Sequence, residues 1–301
     1  MKDIIGYKPF EERMVNTGYS DTLRLILEKG RLCKSQPGPD TLTVLDVPPI
    51  TYNLRDGFPL ITERRVKGFW KQPIGEICAF VNGVRTLDGL EHFGCKFWKV
   101  WGTAKKCMKR GLQVGDLGPG SYGAGFHDFP MAEGGTFNQF KHIIEQIKEL
   151  PHLKTHFISP WIPQYIGRGK GKQQKVVVAP CHGWLYFKVY GDELTTVMIQ
   201  RSADFPVGVP SNMIQYAALT MMVAHATGLK PAEFIHHPID AHIYVDQIPW
   251  VNEILSREPR PYPTVKMDTS VKNFFDFRLE HFELGDDYNP HPAISDIPVA
   301  I

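Results

Sequence analysis

The sequence lacks most of the features that announce a specialised protein. Its 301 residues carry 34 Lys and Arg against 32 Asp and Glu, a formal net charge of +2. So small an imbalance excludes a broad polyanion-binding surface, and any anion site must be local. No apolar run approaches the roughly 20 residues a membrane-spanning helix needs. The stretch MKDIIGYKPFEERM at the amino end places acidic residues where a secretory leader needs an apolar core. A cytoplasmic protein is expected, with no membrane partner and no nucleic acid polymer as ligand. The five cysteines, Cys33, Cys78, Cys95, Cys107 and Cys181, are odd in number and lack any CxxC spacing, so neither a disulfide framework nor a zinc ribbon is suggested. In a reducing compartment such thiols are small buried hydrophobes unless their surroundings activate them. Repeats and low-complexity tracts are also missing. Pro and Gly are spread along the chain, so no linker marks a boundary and residues 1–301 read as one domain.

What is there is ordinary in bulk. Hydrophobic content of 43% and charged content of 22% suit a globular fold. Thr136 and Gln139 have capping-box spacing, and Phe137, Phe140, Ile143, Ile144, Ile147 and Leu150 follow as one apolar stripe that Pro151 stops. A second helix, SNMIQYAALTMMVAHAT, follows Pro210 and ends at Gly228, with Pro231 beyond. It is apolar nearly all round, so it belongs in the middle of the fold. Short strands are expected at Val176–Ala179, at WLYFKVY and ELTTVMIQRS about a Gly191-Asp192 turn, and at AHIYVDQ. Helices interleave with an antiparallel hairpin, which favours an α+β fold, a mixed twisted sheet with packed helices.

The chemistry-bearing residues cluster in a few stretches. Cys181 in PCH is expected at a strand end, where a thiol becomes nucleophilic if a cation or donor lowers its pKa. His182 beside it points to the other face. Arg201, at the end of the second hairpin strand, is better placed to approach the thiol. In QRSADFPVGVPSN, Arg201 and Ser202 suit an anion. Asn212 offers an acceptor and two donors to an amide-like edge, or it caps the helix. His242 and Tyr244 in DAHIYVD lie two apart on one strand face, either for a hydroxyl-rich ligand or as satisfied core groups. Glu76 sits among apolar residues, where a carboxylate needs a partner or a task. Trp98 and Trp101 in FWKVWG form a stacking wall or belong to the core, and GDLGPGSYG brings Tyr122 to a surface. IGRGKGKQQK is a solvated basic loop or a phosphate contact, without Walker spacing. A metal centre at His236, His237 and His242 is disfavoured, because adjacent histidines diverge on an extended segment, and no metal is expected.

The collinear succession GFPL, Glu76, W-x-x-W, GDLGP-x-x-YG, PCH, QRS-x-D, PVGVPSN, DAHIY and terminal PVAI resembles the thymidylate synthase family from about Asp56 to Ile301. The resemblance implies that Cys181 adds to C6 of a pyrimidine nucleoside monophosphate, with 5,10-methylenetetrahydrofolate as co-substrate. It implies that Glu76 and Tyr122 handle protons, Arg201 and Ser202 hold phosphate, Asn212 reads the O4/N3 edge, and His242 and Tyr244 hold the sugar hydroxyl. Trp98, Trp101, Asp204, Gly208, Val299, Ala300 and Ile301 match the reduced-folate side, and a homodimer is implied. There are departures. The family's amino-terminal arginine loop is KSQPGPDT here, Lys34 to Thr41, without arginine. The paired arginines donated by the partner subunit are Lys154 and Thr155, and Arg and Lys are not interchangeable at a bidentate phosphate site. The loop of Arg168, Lys170 and Lys172 is a candidate compensation. Ser211 stands where phenylalanine is usual.

The leading expectation is methylation of dUMP to dTMP, since relatives acting on cytosine carry aspartate at the Asn212 position. The alternative is a hydroxymethylase acting on dUMP, CMP or dCMP, with water in place of hydride. A cysteine hydrolase using Cys181 with His182 or His242 leaves Asn212 and PVAI unexplained. An inert binding protein has no reason to keep Glu76, Cys181 and Arg201 together.

Overall fold

The structure, a computed structural model, describes residues 1–36 and 38–300. Its centre is the helix Gly208–Thr227, in which every residue from Asn212 to Ala224 is buried. This is the helix the all-round apolar sequence calls for. It begins two residues before Pro210, which sits in the first turn where its missing N–H costs nothing. It ends at Gly228, whose φ of 75° is left-handed and favours glycine.

One face of the helix lies on a five-stranded sheet. The strand order is Ile50–Asn53, Lys230–Pro238, Glu193–Gln200, Trp184–Tyr190 and Phe157–Ile158. Lys230–Pro238 and Glu193–Gln200 run parallel, with a bulge between Pro231 and Glu233, and every other pair in this sheet is antiparallel. The hairpin closes with Tyr190 opposite Glu193 across Gly191-Asp192, as the turn residues predict. Alternation along the strands sends Leu185, Phe187, Leu194, Met198 and Phe234 into the core. The opposite face holds Trp184, Tyr186, Val197, Ile199 and Ile235, all partly covered. Helices Lys71–Val81 and Gln139–Glu149 pack on the central helix from its other sides.

A second sheet holds Arg31–Cys33, Thr41–Val44, Ala241–Tyr244 and Ala203–Asp204, in that order. Its short strand Ala203–Asp204 begins three residues beyond the end of Glu193–Gln200, so one stretch of chain leaves the first sheet and enters the second across Arg201 and Ser202. The α+β architecture with a mixed sheet is the one expected from sequence.

Three local expectations are corrected. Val176–Ala179 is irregular, not a strand: Val176 and Val177 are buried, but the run donates to loop carbonyls, with Val177 N–H on Leu117, instead of joining a ladder. The helix expected from Thr136 starts at Gln139, capped by the Asn138 side chain, while Thr136–Phe137 pairs with Phe129–Pro130. AHIYVDQ is strand only to Tyr244, after which Val245–Gln247 turns as a 3₁₀ segment.

Candidate active site

A helix buried on all sides cannot leave polar side chains without partners. The central helix carries three internal ones, Asn212, Gln215 and Thr220. Thr220 is satisfied locally, its hydroxyl donating to the Tyr216 carbonyl one turn back. Asn212 and Gln215 lie one turn apart on one face and bond each other, Asn212 Nδ2 donating to Gln215 Oε1 at 2.9 Å. Asn212 Oδ1 accepts from Gln200 Nε2 at 3.0 Å, and Gln200 Oε1 faces His236 Nε2 at 2.8 Å. At the other end, Gln215 Nε2 donates to one carboxylate oxygen of Glu76, and the Trp98 indole N–H donates to the second. The alternative that Asn212 caps the helix is excluded, because it is the fifth helical residue and its amide bonds two glutamine side chains instead of the helix's first N–H groups. Burial pushes the Glu76 carboxyl up to about 7, opposed by the Trp98 hydrogen bond.

Cys181 lies half-buried in the loop before Trp184–Tyr190, not at a strand end. Its backbone N–H donates to the Tyr122 hydroxyl at 2.6 Å, and its Sγ is 3.5 Å from Arg201 Nη2. Arg201 is fixed by two carbonyls of the same loop, Nε to Pro180 at 2.7 Å and Nη2 to Ala179 at 3.1 Å, with Trp161 beneath the guanidinium. Burial raises the thiol pKa, and the Arg201 charge is the largest influence lowering it. The resting sulfur is therefore a thiol with a cation placed to stabilise its thiolate. Tyr122 is buried, not surface-exposed as the glycine-rich loop suggested. It stacks on Phe80 and His182 and meets Trp98 edge-on, which sets it between the thiol and Glu76. His182 turns into the core, Nδ1 against the Tyr216 hydroxyl at 2.6 Å, and burial drives its pKa down to about 3. A neutral ring already bonded elsewhere is no base for Cys181.

Ser202 follows, its N–H on the Cys181 carbonyl at 3.3 Å. Asp204 pairs with His242 across the second sheet. His242 is buried and oriented by Asp240 Oδ1 at 2.9 Å, and the Tyr244 ring stands edge-on to it at 5.4 Å. Their shared strand face is as expected. Burial raises the Asp204 carboxyl to about 6, with His242 the main influence lowering it. Gln247 Nε2 bridges Asp204 Oδ1 at 3.3 Å and the Pro298 carbonyl at 2.9 Å, tying the carboxyl-terminal tail to this carboxylate. Gly208 faces the space between Asp204 and the Asn212 amide. Ala300 lies over Gly38, Val299 is exposed, and Ile301 falls outside the described residues.

The tryptophans divide. Trp98 is buried against Phe80 and Tyr122, whereas Trp101 is partly exposed with Lys106 over its ring. Lys154 is exposed on the segment entering the edge strand Phe157–Ile158, and no contact among the described residues brings it to the cluster. Lys34 is paired with Asp40 at 2.8 Å, and Arg168 bonds Gln174 and Gln36; Pro37 of that loop is not described. His236 is buried and His237 exposed, on opposite faces as expected. Among the described residues no group of three or more His, Cys, Asp or Glu is placed to hold a metal ion. Sequence reasoning missed Gln200, Gln215, Gln247 and Trp161. A polar residue three positions after Asn212 in an apolar helix was the available signal for Gln215; nothing local marks Gln247 or Trp161.

Compared with known protein families, residues 17–301 match the family described as Thymidylate synthase.

Proposed function

This chain belongs to the thymidylate synthase family, whose chemistry is folate-dependent one-carbon transfer to a pyrimidine nucleotide, and on that premise we propose that its substrate is dUMP and its product dTMP. The observation that carries this reading is the orientation of Asn212. Its Oδ1 already accepts from Gln200 and its Nδ2 already donates to Gln215. One lone pair on the oxygen and one N–H on the nitrogen remain. Uracil offers N3–H and O4, the matching donor and acceptor. Cytosine offers a bare N3 and an amino group, and mismatches at both atoms.

The proposed steps follow from the site. The Cys181 thiolate, stabilised by Arg201, bonds to C6 of the base, and the C5–C6 π electrons move toward O4 as an enolate. C5 is then nucleophilic and takes up the one-carbon unit. The folate co-substrate supplies that unit and, for a methyl product, the hydride. Loss of the C5 proton expels the folate nitrogen from the one-carbon unit and leaves an exocyclic methylene on C5. Addition of hydride to that carbon, or of water for a hydroxymethyl product, then expels the Cys181 sulfur from C6 and restores the aromatic base. Glu76, near neutrality in its pKa, and Tyr122 manage the protons. Arg201 and Ser202 hold phosphate, and His242 with Tyr244 holds the sugar. The residues fit a folate in part: Gln247 ties the tail at Pro298 to Asp204, which ionises near 6, beside Gly208, and Trp98, Trp101, Val299 and Ala300 are the further residues that would hold it by family resemblance.

One observation favours a second reading. Ser211 is half-buried at the start of the central helix, where the family carries phenylalanine. A hydroxyl there admits water, as a hydroxymethylase needs. Incubation with dUMP and methylenetetrahydrofolate separates the two. The methyl reading expects dihydrofolate absorbance and a dTMP mass; a hydroxymethylated product without dihydrofolate overturns it.

We further propose one cytoplasmic domain acting as a homodimer, with Lys154 serving the partner's phosphate. The partly covered sheet face of Trp184, Tyr186, Val197, Ile199 and Ile235 supports a paired arrangement, and no helix among the described residues is long and apolar enough to cross a membrane.

A further inference from the structure

Resting on the pyrimidine-nucleotide reading, we propose that Gln215 is a positioning residue that locks the base-reading amide of Asn212 in its uracil orientation and ties that lock to the Glu76 carboxyl. The Gln200 amide cannot turn over. Gln200 Nε2 donates both to the Ser202 backbone carbonyl at 3.0 Å and to Asn212 Oδ1 at 3.0 Å. A backbone carbonyl only accepts, so the Gln200 nitrogen must face it. The Gln200 oxygen then faces His236 Nε2, which must carry the proton. His236 is neutral, its pKa lowered to about 3 by burial, and its Nδ1 is buried with no partner among the described residues. With the Gln200 nitrogen fixed, Asn212 presents its oxygen there and its nitrogen to Gln215. Gln215 must receive that N–H on Oε1 and so turns Nε2 to Glu76.

Every polarity in this row follows from the previous one. Turning Asn212 over to read cytosine sets its NH₂ against the Gln200 NH₂. It also sets its oxygen against the Gln215 oxygen. Turning Gln215 as well relieves the second clash only by presenting an oxygen to Glu76, which then must be protonated. Base identity and Glu76 protonation are thus coupled through one side chain. Gln215 belongs to neither reacting group and touches the substrate only through its neighbours. Its amide, fully buried, has no other partner among the described residues.

Two variants test this. Gln215→Leu keeps the volume and removes both bonds; Gln215→Glu keeps the shape and reverses the polarity toward Glu76. The readouts are the equilibrium Kd of dUMP and of dCMP for the protein without folate, the pH profile of kcat with dUMP, and the thermal melting point. The wild type is expected to favour dUMP. In Gln215→Leu the Kd(dCMP)/Kd(dUMP) ratio is expected to shrink about tenfold, and the pH at which the Glu76-dependent limb turns is expected to rise, because a donor to the carboxylate is gone. Gln215→Glu is expected to move that limb up further, since two facing carboxyls share one proton. A folded variant whose nucleotide ratio and pH limb both match the wild type overturns the proposal, and so does a loss of kcat with neither changed. If Gln215→Leu fails to fold, the isosteric Gln215→Glu carries the same decision. A wild type that binds neither nucleotide sinks the substrate reading itself, which is a different result.

Discussion

The two ends of the proposed nucleotide site, one for the base and one for the phosphate, are built differently. The base end is a closed row of side chains from Trp98 through Glu76, Gln215, Asn212 and Gln200 to His236, nearly all buried and bonded to one another within one chain. The phosphate end is assembled from loops. Arg201 hangs on two carbonyls, Lys34 is 92% exposed in its side chain, Arg168 is held by two glutamines, and Lys154 is exposed on the surface. A buried row is costly to leave half-satisfied, so it specifies one arrangement. Exposed charges in high dielectric specify little and are screened by salt. Base identity is therefore expected to be rigidly set, and phosphate affinity to be adjustable.

The largest effect is expected where the two ends meet. Cys181→Ser should cut turnover by about 10⁴-fold or more while leaving nucleotide Kd within a few-fold, because it removes only the attacking atom. Mass spectrometry of the ternary complex with 5-fluoro-dUMP and methylenetetrahydrofolate should show an adduct in the wild type and none in the variant. Wild-type turnover without any adduct would falsify covalent catalysis at Cys181.

Next comes the base end. Glu76→Gln should lower kcat by roughly 10²- to 10⁴-fold, the usual range for a positioned acid or base. It also carries a stability signature. The folded carboxyl ionises near 7 against 4.5 for the free group. The unfolded chain thus releases its proton first, and ionisation favours unfolding as pH rises from about 4.5 to 7, by about 3 kcal/mol in all. Glu76→Gln lacks this loss. Urea unfolding at pH 5 and pH 8 should show the wild type losing more stability than the variant between the two; parallel changes would mean that Glu76 is not held protonated by burial.

The same contrast explains what was legible in the sequence. Cys181, Arg201, Asn212, His242 and Tyr244 could be singled out as candidates because each sits in a short motif with its neighbours, and the central helix because its apolar run has one reading. Val176–Ala179 looked like a strand because β-branched residues fill both strands and buried loops, and only tertiary hydrogen bonding decides between them. Thr136 looked like a cap because a capping box is a spacing, and Asn138, three residues before Lys141, competed with it. Gln200 and Gln247 act across long sequence separations, on His236 and Pro298. No local pattern encodes which buried amide meets which.

At the phosphate end the effects shrink. Substituting Arg168, Lys170 and Lys172 with alanine together should raise the nucleotide KM by about three- to tenfold with kcat nearly unchanged. The difference between wild type and variant should narrow as ionic strength rises from about 0.05 to 0.5 M, since the Debye length falls over that range. A KM that does not move would assign these residues to a solvated loop and leave Arg201 as the main phosphate ligand of this chain.

The smallest effect tests whether the phosphate end is adjustable at all. Lys34 belongs to the loop in which an arginine would ordinarily hold phosphate, but its ammonium is already engaged by Asp40 at 2.8 Å. An exposed pair of this kind contributes at most about 1 kcal/mol, so breaking it should leave the melting temperature within a few degrees. The carboxylate nevertheless cancels a positive charge close to the tail at Ala300 and to the strand bearing Tyr244, whose Val245 N–H bonds the Asp40 carbonyl. Asp40→Asn keeps the backbone contact and frees the charge, and should lower the nucleotide KM about two- to threefold at low salt. Lys34→Ala alone should raise it by a similar factor, because it leaves the Asp40 carboxylate unpaired near the phosphate, and the double variant, neutral like the intact pair, should match the wild type. Equal KM values for Asp40→Asn and the wild type would place Lys34 beyond the reach of the phosphate, and the adjustable end would then reduce to Arg201, the basic loop and whatever the proposed partner subunit would contribute.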